Sequence, residues 1–417
     1  MEIDPNKQTV PPPNEPKKIP PWAKIMIAGM VILTIDACAI YCLIIFMDSQ
    51  TSKFVDDLHV INNVGNTYIP SYSQAPVSES GELIISDLNG ESKIVIAEIP
   101  GYGSNYAIHT GTGKIIYTSK EGLWISDKGT EPKEIMTFND SDSYLESPTI
   151  SFDGTKIAFA LTNRQLWTVN SDGTNPRLII DDTATYITDN LGPFRLNPAA
   201  WSKDDTKIYL LPTTDSEATP TGMYILDVAS GKVTKAKTPQ VPIWDAAFSP
   251  DRTKIVYTTH DWQYIPESRP EASPPYALNI TDLATGATTK LLESQTDKYS
   301  NHTWSPDGKK IAYKVVRQVF QEESGTDETV LIDTAIGIFV IDINSKMANL
   351  ISSPSANSEI YSLAWLNNER TAYTEESQNT ASLYTLKING TEKRLVDTSE
   401  RIYIFGSVND KICYLKH

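Results

Sequence analysis

The chain has 417 residues, of which 40% are hydrophobic and 21% charged, and a formal net charge of −16. That composition is globular rather than disordered, and so acidic a surface repels phosphate backbones, which excludes nucleic acid as an expected partner. The 3 cysteines are too few for a disulfide framework; for an exported domain this points to a bacterial or archaeal envelope.

Residues 1–24 are polar and carry Pro11, Pro12, Pro13, Pro16, Pro20 and Pro21; they read as a disordered cytoplasmic stub. Residues 25–47 form an apolar run whose single ionisable residue is Asp36. At about 1.5 Å per residue, a helix of this length crosses a hydrocarbon core of roughly 30 Å. Lys17, Lys18 and Lys24 precede the run, and Asp48, Asp56 and Asp57 follow it. This bias predicts a single-pass plasma-membrane anchor, with the N-terminus cytoplasmic and the remainder extracytoplasmic. The run ends in Leu43-Ile-Ile-Phe-Met47, too bulky for a signal-peptide cleavage site, so the anchor is expected to stay attached. A carboxyl group in lipid costs about 2.5–3.5 kcal/mol, which makes Asp36 the candidate contact to another membrane helix. Residues 48–80, with Asn62, Asn63, Gly65, Asn66, Pro70 and Pro76, read as an extended stalk.

From residue 81 to 417 one phrase recurs. A basic residue opens a short strand at Lys114-Ile-Ile-Tyr117, Lys156-Ile-Ala-Phe159, Lys207-Ile-Tyr-Leu210, Lys254-Ile-Val-Tyr257, Lys310-Ile-Ala-Tyr313, Arg370-Thr-Ala-Tyr373 and Lys411-Ile-Cys-Tyr414. The intervals are 42, 51, 47, 56, 60 and 41 residues, and periods of roughly 40–50 residues built from short strands are the signature of propeller blades. Polar turns such as Ser305-Pro-Asp-Gly308 precede the strand and suit a type I turn. An aromatic residue stands just before several of these turns, at Trp201, Phe248, Trp304 and Trp365. A third and a fourth strand follow in each unit, giving four antiparallel strands per blade. The ends are incomplete in a complementary way. Residues 401–416 supply only a first and second strand, and residues 82–97 only a third and fourth. Joining them completes a seventh blade and removes two exposed sheet edges. The expected fold is all-β, a seven-bladed propeller closed by its terminal strands and preceded by one transmembrane helix.

The phrase Trp304-Ser-Pro-Asp-Gly-Lys-Lys-Ile-Ala-Tyr313 resembles the repeats of TolB-like and WD40-like (PD40-type) propellers, and the likeness extends over about residues 81–416. The resemblance implies the propeller fold. Related propellers also gate prolyl oligopeptidases or act as polysaccharide lyases with a histidine-bound metal. A hydrolase of the first kind needs a Gly-x-Ser-x-Gly elbow, and the nearest approach is Gly101-Tyr-Gly-Ser-Asn105. His59, His109, His260, His302 and His417 form no metal-ligand spacing. No catalytic or metal-ligating residue and no cofactor is therefore assigned; scattered carboxylates leave calcium open, without an EF-hand loop. His302 and Cys413 fit the strand pattern and are read as structural.

Insertions at 181–198, 212–221, 259–276 and 316–337 all leave from the same face, because second-to-third and fourth-to-first connections emerge together. Loops on a rigid scaffold concentrate binding residues. The loop after His260 holds Asp261, Trp262, Tyr264 and Arg269, and Trp, Tyr and Arg dominate binding hot spots. These four are the candidate binding residues. The expected function is a membrane-anchored, non-catalytic propeller that binds a protein or peptide at the cell envelope. The alternative is a carbohydrate-active or other hydrolytic or lyase enzyme working on the same face.

Overall fold

The computed structural model describes residues 81–99, 106–109, 112–118, 122–127, 130–137, 144–162, 164–183, 194–214, 221–239, 241–259, 275–322, 329–408 and 411–417. The expected span at 25–47 with Asp36, and the stalk at 48–80, lie outside them. Among the described residues no helix is long and apolar enough to cross a membrane.

Strands β1 (Gly81–Ser86) and β2 (Lys93–Ile99) come first. Blade 1 is β3 (Tyr106–His109), β4 (Lys114–Thr118), β5 (Gly122–Asp127) and β6 (Lys133–Thr137). Blade 2 is β7 (Leu145–Ile150), β8 (Lys156–Leu161), β9 (Leu166–Asn170) and β10 (Arg177–Ile180). Blade 3 is β11 (Phe194–Trp201), β12 (Lys207–Thr214), β13 (Tyr224–Asp227) and β14 (Val233–Lys235). Blade 4 is β15 (Trp244–Phe248), β16 (Lys254–Thr259), β17 (Tyr276–Asp282) and β18 (Thr288–Ser294). Blade 5 is β19 (Asp297–Trp304), β20 (Lys310–Glu322), β21 (Thr329–Asp342) and β22 (Ala348–Ser352). Blade 6 is β23 (Glu359–Asn367), β24 (Arg370–Ser377), β25 (Thr380–Lys387) and β26 (Arg394–Ser399). Strands β27 (Ile402–Val408) and β28 (Lys411–Lys416) close the chain.

The described strands make seven sheets of four antiparallel strands. The seventh has the order β2-β1-β28-β27, with Ile84 opposite Tyr414 and Leu83 opposite Leu415. The composite closure expected from the incomplete ends is what the chain adopts. The first strands of successive blades neighbour one another, β3 beside β7, β7 beside β11, and β19, β23 and β27 in turn; they line the central channel of a propeller.

The repeated turn has a side-chain lock. Ser151, Ser202, Ser249 and Ser305 each donate a hydroxyl to the aspartate two residues on, Asp153, Asp204, Asp251 and Asp307, at 2.6–2.7 Å. The same serine oxygens accept from the backbone N–H groups of Lys156, Lys207, Lys254 and Lys310 at 2.8–3.0 Å. The basic residue that opens the strand has an electrostatic role as well. Hydrogen bonds from Ser151 and Thr155 help hold the Asp153 carboxyl below its usual range against the opposing effect of burial, and Lys156 adds to this; Lys254 does the same for Asp251.

The aromatic residue before the turn joins neighbouring blades. The indole N–H of Trp201 donates to the Thr149 carbonyl at 3.2 Å, that of Trp304 to Ala247 at 2.9 Å, and that of Trp365 to Thr303 at 2.9 Å. Each indole is buried and would otherwise leave its donor unsatisfied. Trp304 also packs with Ala247, Val256, Leu278, Ile311 and Tyr313 in the core between blades 4 and 5. Cys413 is fully buried, and burial pushes its thiol pKa up, so it acts as a small apolar residue, as expected.

One expectation is corrected. Residues 316–337 are not simply an insertion loop: β20 and β21 extend through them as a ribbon, pairing Val316 with Ala335 and continuing to Glu322 opposite Thr329. The cause is local anchoring. Arg317 grips Asp297 through two bonds of 2.6 and 3.0 Å. Lys298 pairs with Asp333 at 3.0 Å, and the Tyr276 hydroxyl donates to Gln318 at 2.7 Å. The insertion at 212–221 likewise begins as strand, with Thr213 opposite Arg195.

Candidate functional site

Every inner strand except the short β3 has a register irregularity: β7 at Glu146/Thr149, β11 at Pro198/Ala200, β15 at Trp244/Ala247, β19 at Ser300/Thr303, β23 at Ile360/Leu363 and β27 at Ile404/Gly406. Bulges re-aim side chains and are frequent beside functional sites. Ser147, Asp245 and Asn301, at the same place in blades 2, 4 and 5, have φ of 49°, 47° and 53°. These left-handed conformations are uncommon for residues other than glycine.

Asp245 is held by its backbone. His302 donates from Nδ1 to the Asp245 carbonyl, and its Nε2 lies 3.0 Å from the Thr258 hydroxyl. Burial pushes His302 down to about 4, so its ring is neutral and fully engaged. It is a structural histidine, as its place in the strand pattern implied. The Asp245 carboxyl receives no hydrogen bond among the described residues. Burial pushes it up to about 6, with Lys314 acting in the opposite sense.

Lys314, from β20, faces the same region. Burial pulls its pKa down, opposed by Glu359, Asp245 and Asp333. Its ammonium lies 5.7 Å from the centre of the Tyr361 ring, within the range of a cation–π contact. Among the described residues it has no hydrogen bond and no ion pair within 4.0 Å. Asn301 donates its side-chain amide to the Tyr361 carbonyl and so fixes the neighbouring bulge.

The wall continues into blade 6. Glu359 stands directly across from Glu376, a like-charge cross-strand pair that costs stability. Burial raises the Glu376 pKa, Glu359 adds to the rise, and Arg401 opposes it. Burial also raises the pKa values of Tyr361 and Tyr403. The sector between blades 2 and 3 differs: there Asn197 donates to Glu146 at 3.5 Å and Arg195 lies 3.7 Å from the same carboxylate. Those charges answer one another, whereas Asp245 and Lys314 do not meet.

Asp261, Trp262, Tyr264 and Arg269, the binding residues expected from the sequence, lie outside the described residues. Their segment leaves the end of β16, the strand next to β15 and hence to Asp245. Sequence reasoning missed Asp245, Lys314, Glu359, Tyr361, Glu376 and Arg401. One signal was available: the residue after the phrase's tyrosine is Thr118, Thr258 or Thr374 in blades 1, 4 and 6, and Lys314 in blade 5. Among the described residues no group of His, Cys, Asp and Glu is arranged to hold a metal ion.

No protein family matches the chain, and no curated protein does. Among solved structures it is similar to TolB from Acinetobacter baumannii, with 17% identity over 78% of this chain and 67% of that one and a TM-score of 0.41. It is also similar to an oligogalacturonate lyase from Vibrio parahaemolyticus, with 12% identity, 82% and 98% coverage and a TM-score of 0.48. A third likeness is to the propeller domain of Cps50 (Swd1) from Myceliophteria thermophila, with 9% identity, 85% and 100% coverage and a TM-score of 0.44. At these identities the likeness is one of fold.

Proposed function

We propose that this chain is a membrane-anchored, extracytoplasmic propeller that captures a peptide or a protein segment at the channel mouth on its insertion face. The observation that carries this reading is the mouth of blades 4 to 6. There a donor-only group, Lys314, which lies over the Tyr361 ring, and an acceptor-only group, Asp245, have no hydrogen bond or ion pair to their side chains among the described residues. Peptides offer donors, acceptors and apolar side chains at short spacing, which is what such a wall can engage. The anchor rests on residues 25–47 and the preceding lysines.

The test is retention of a random-sequence hexapeptide pool by the full chain, reconstituted in nanodiscs and immobilised. Retention above an empty-nanodisc control supports the reading; no retention contradicts it. The second reading, a carbohydrate-active hydrolase or lyase on the same face, draws on Asp245 alone. A carboxyl near 6 suits a general acid or base at neutral pH. Release of reducing ends or unsaturated products from oligosaccharides, lost in Asp245→Asn, would favour it over simple capture.

A further inference from the structure

The mouth holds an arrangement that peptide capture in general does not require, and its chemistry narrows the ligand. Half-buried charges are costly when unpaired. Elsewhere in the ring several are answered: Lys93 and Lys416 by Asp397, Arg370 by Glu392, and Lys393 by Glu375. Among the described residues Asp245 and Lys314 are exceptions on adjacent blades, close enough to influence one another yet not in contact. Among the described residues the charges acting on Lys314 are the carboxylates of Glu359, Asp245 and Asp333, and Glu376 stands across from Glu359. A ligand carboxylate would meet those acids as like charges. A ligand that brings a cation for Asp245 and, next to it, an acceptor for Lys314 satisfies both.

We propose that the Asp245–Lys314 wall recognises the free amino terminus of a peptide, with its ammonium on the Asp245 carboxylate and its first carbonyl on the Lys314 ammonium. The amino-terminal residue of any peptide carries these two groups roughly 3 Å apart, fixed by backbone geometry. Both contacts are charge-assisted, the strong class of hydrogen bond. The Tyr361 ring beneath Lys314 and Tyr403 in the next blade offer apolar surface to the side chains that follow. Capture of an amine end by dedicated groups is a recurring recognition mode. This inference rests on the peptide-binding reading and specifies which part of the peptide is read.

Protonation supplies a second readout. The charged group acting on Asp245 is Lys314 from β20, and no other does among the described residues; the titratable ring of His302 from β19 touches its backbone carbonyl. His302 stays neutral above about pH 4. Between pH 7.5 and pH 5 Asp245 takes up its proton, which removes the acceptor charge; Glu376 in blade 6, whose pKa burial also raises, titrates in the same direction, and the Asp245→Asn variant separates the two.

The experiment uses the full chain in nanodiscs and two hexapeptide pools of identical random sequence, one with free amino termini and one N-acetylated. Retained peptides are quantified by mass spectrometry. The free pool should be retained about tenfold more than the acetylated pool at pH 7.5. That preference should vanish at pH 5 and in Asp245→Asn, and Lys314→Met should lower retention of the free pool severalfold, while urea melts show that both variants fold. Equal retention of the two pools would overturn the amino-terminus assignment and leave peptide capture standing. Retention of neither pool would overturn both. A free-pool preference unchanged in Asp245→Asn, or free-pool retention unchanged in Lys314→Met, would place recognition elsewhere and also overturn the assignment.

Discussion

Tyr414 donates its hydroxyl to Asp397 at 2.7 Å, tying the C-terminal strand of the composite blade to the outer strand of blade 6. Asp397 also pairs with Lys416 at 3.0 Å and with Lys93 at 2.9 Å. Lys93 belongs to the N-terminal half of the composite blade and Lys416 to the C-terminal half, so one carboxylate holds both ends of the ring.

Asp397→Ala should therefore lower stability by about 2–3 kcal/mol, because it strands a buried phenol and two ammonium groups. Burial opposes ionisation of Asp397, but hydrogen bonds from Tyr414, Lys93 and Lys416 outweigh it and hold its pKa below the usual carboxylate range. A carboxyl depressed in the folded state contributes stability above its unfolded value and loses it as pH falls through the folded one. The difference between wild type and Asp397→Ala in urea unfolding should be full at pH 7 and shrink below about pH 4. A pH-independent difference would contradict the role.

Asp245 should behave in the opposite way. Its folded pKa is raised to about 6 from 3.8, so the folded state favours the protonated form. Its ionisation penalises folding as pH rises through that value. Asp245→Asn should stabilise the chain by about 1–2 kcal/mol at pH 7.5 and give little change at pH 4. Urea midpoints at the two pH values decide this.

Trp304→Phe removes one buried indole bond, to the Ala247 carbonyl, and should cost about 1 kcal/mol or somewhat more. Trp304→Ala adds a large cavity and should cost about 3–5 kcal/mol. A Trp304→Phe variant as damaging as Trp304→Ala would show that the indole bond, not the packing, dominates.

The loop residues remain candidates on their own terms. Trp262→Ala with Arg269→Ala should weaken retention of the hexapeptide pool by about 2 kcal/mol or more if they form a hot spot. The unfolding midpoint should stay unchanged, since in sequence the segment falls between β16 and β17, outside the repeated phrase. Unchanged retention would confine binding to the strand-borne wall.

The blade count, the closure and the aromatic–turn phrase were legible in the sequence because each is local chemistry repeated in successive units. The Ser-x-Asp lock needs residues two apart, and the indole needs only a neighbouring blade's carbonyl. The incomplete units at the two ends declared their own pairing. Asp245, Lys314 and Glu376 were not legible for the converse reason. Each is a departure from the repeat at one blade, and its meaning depends on which charges the ring brings beside it. The blade 5 ribbon escaped because strand length beyond the repeat is set by anchors such as Arg317 and Asp297, which lie 20 positions apart. The anchor at 25–47 is a separate expectation. Protease added to intact spheroplasts should digest the propeller, and full protection would contradict the topology.

The most direct test of the channel-mouth account is photo-crosslinking. The hexapeptide pool, carrying benzoylphenylalanine at its second position, is irradiated with the full chain in nanodiscs, and adducts are mapped by mass spectrometry. The account predicts adducts on the insertion-face ends of β15, β19, β20 and β23, around Asp245, Asn301, Lys314 and Tyr361. Adducts confined to the opposite turns, around Ser151, Ser249 and Ser305, or spread evenly over the outer strands, would contradict it.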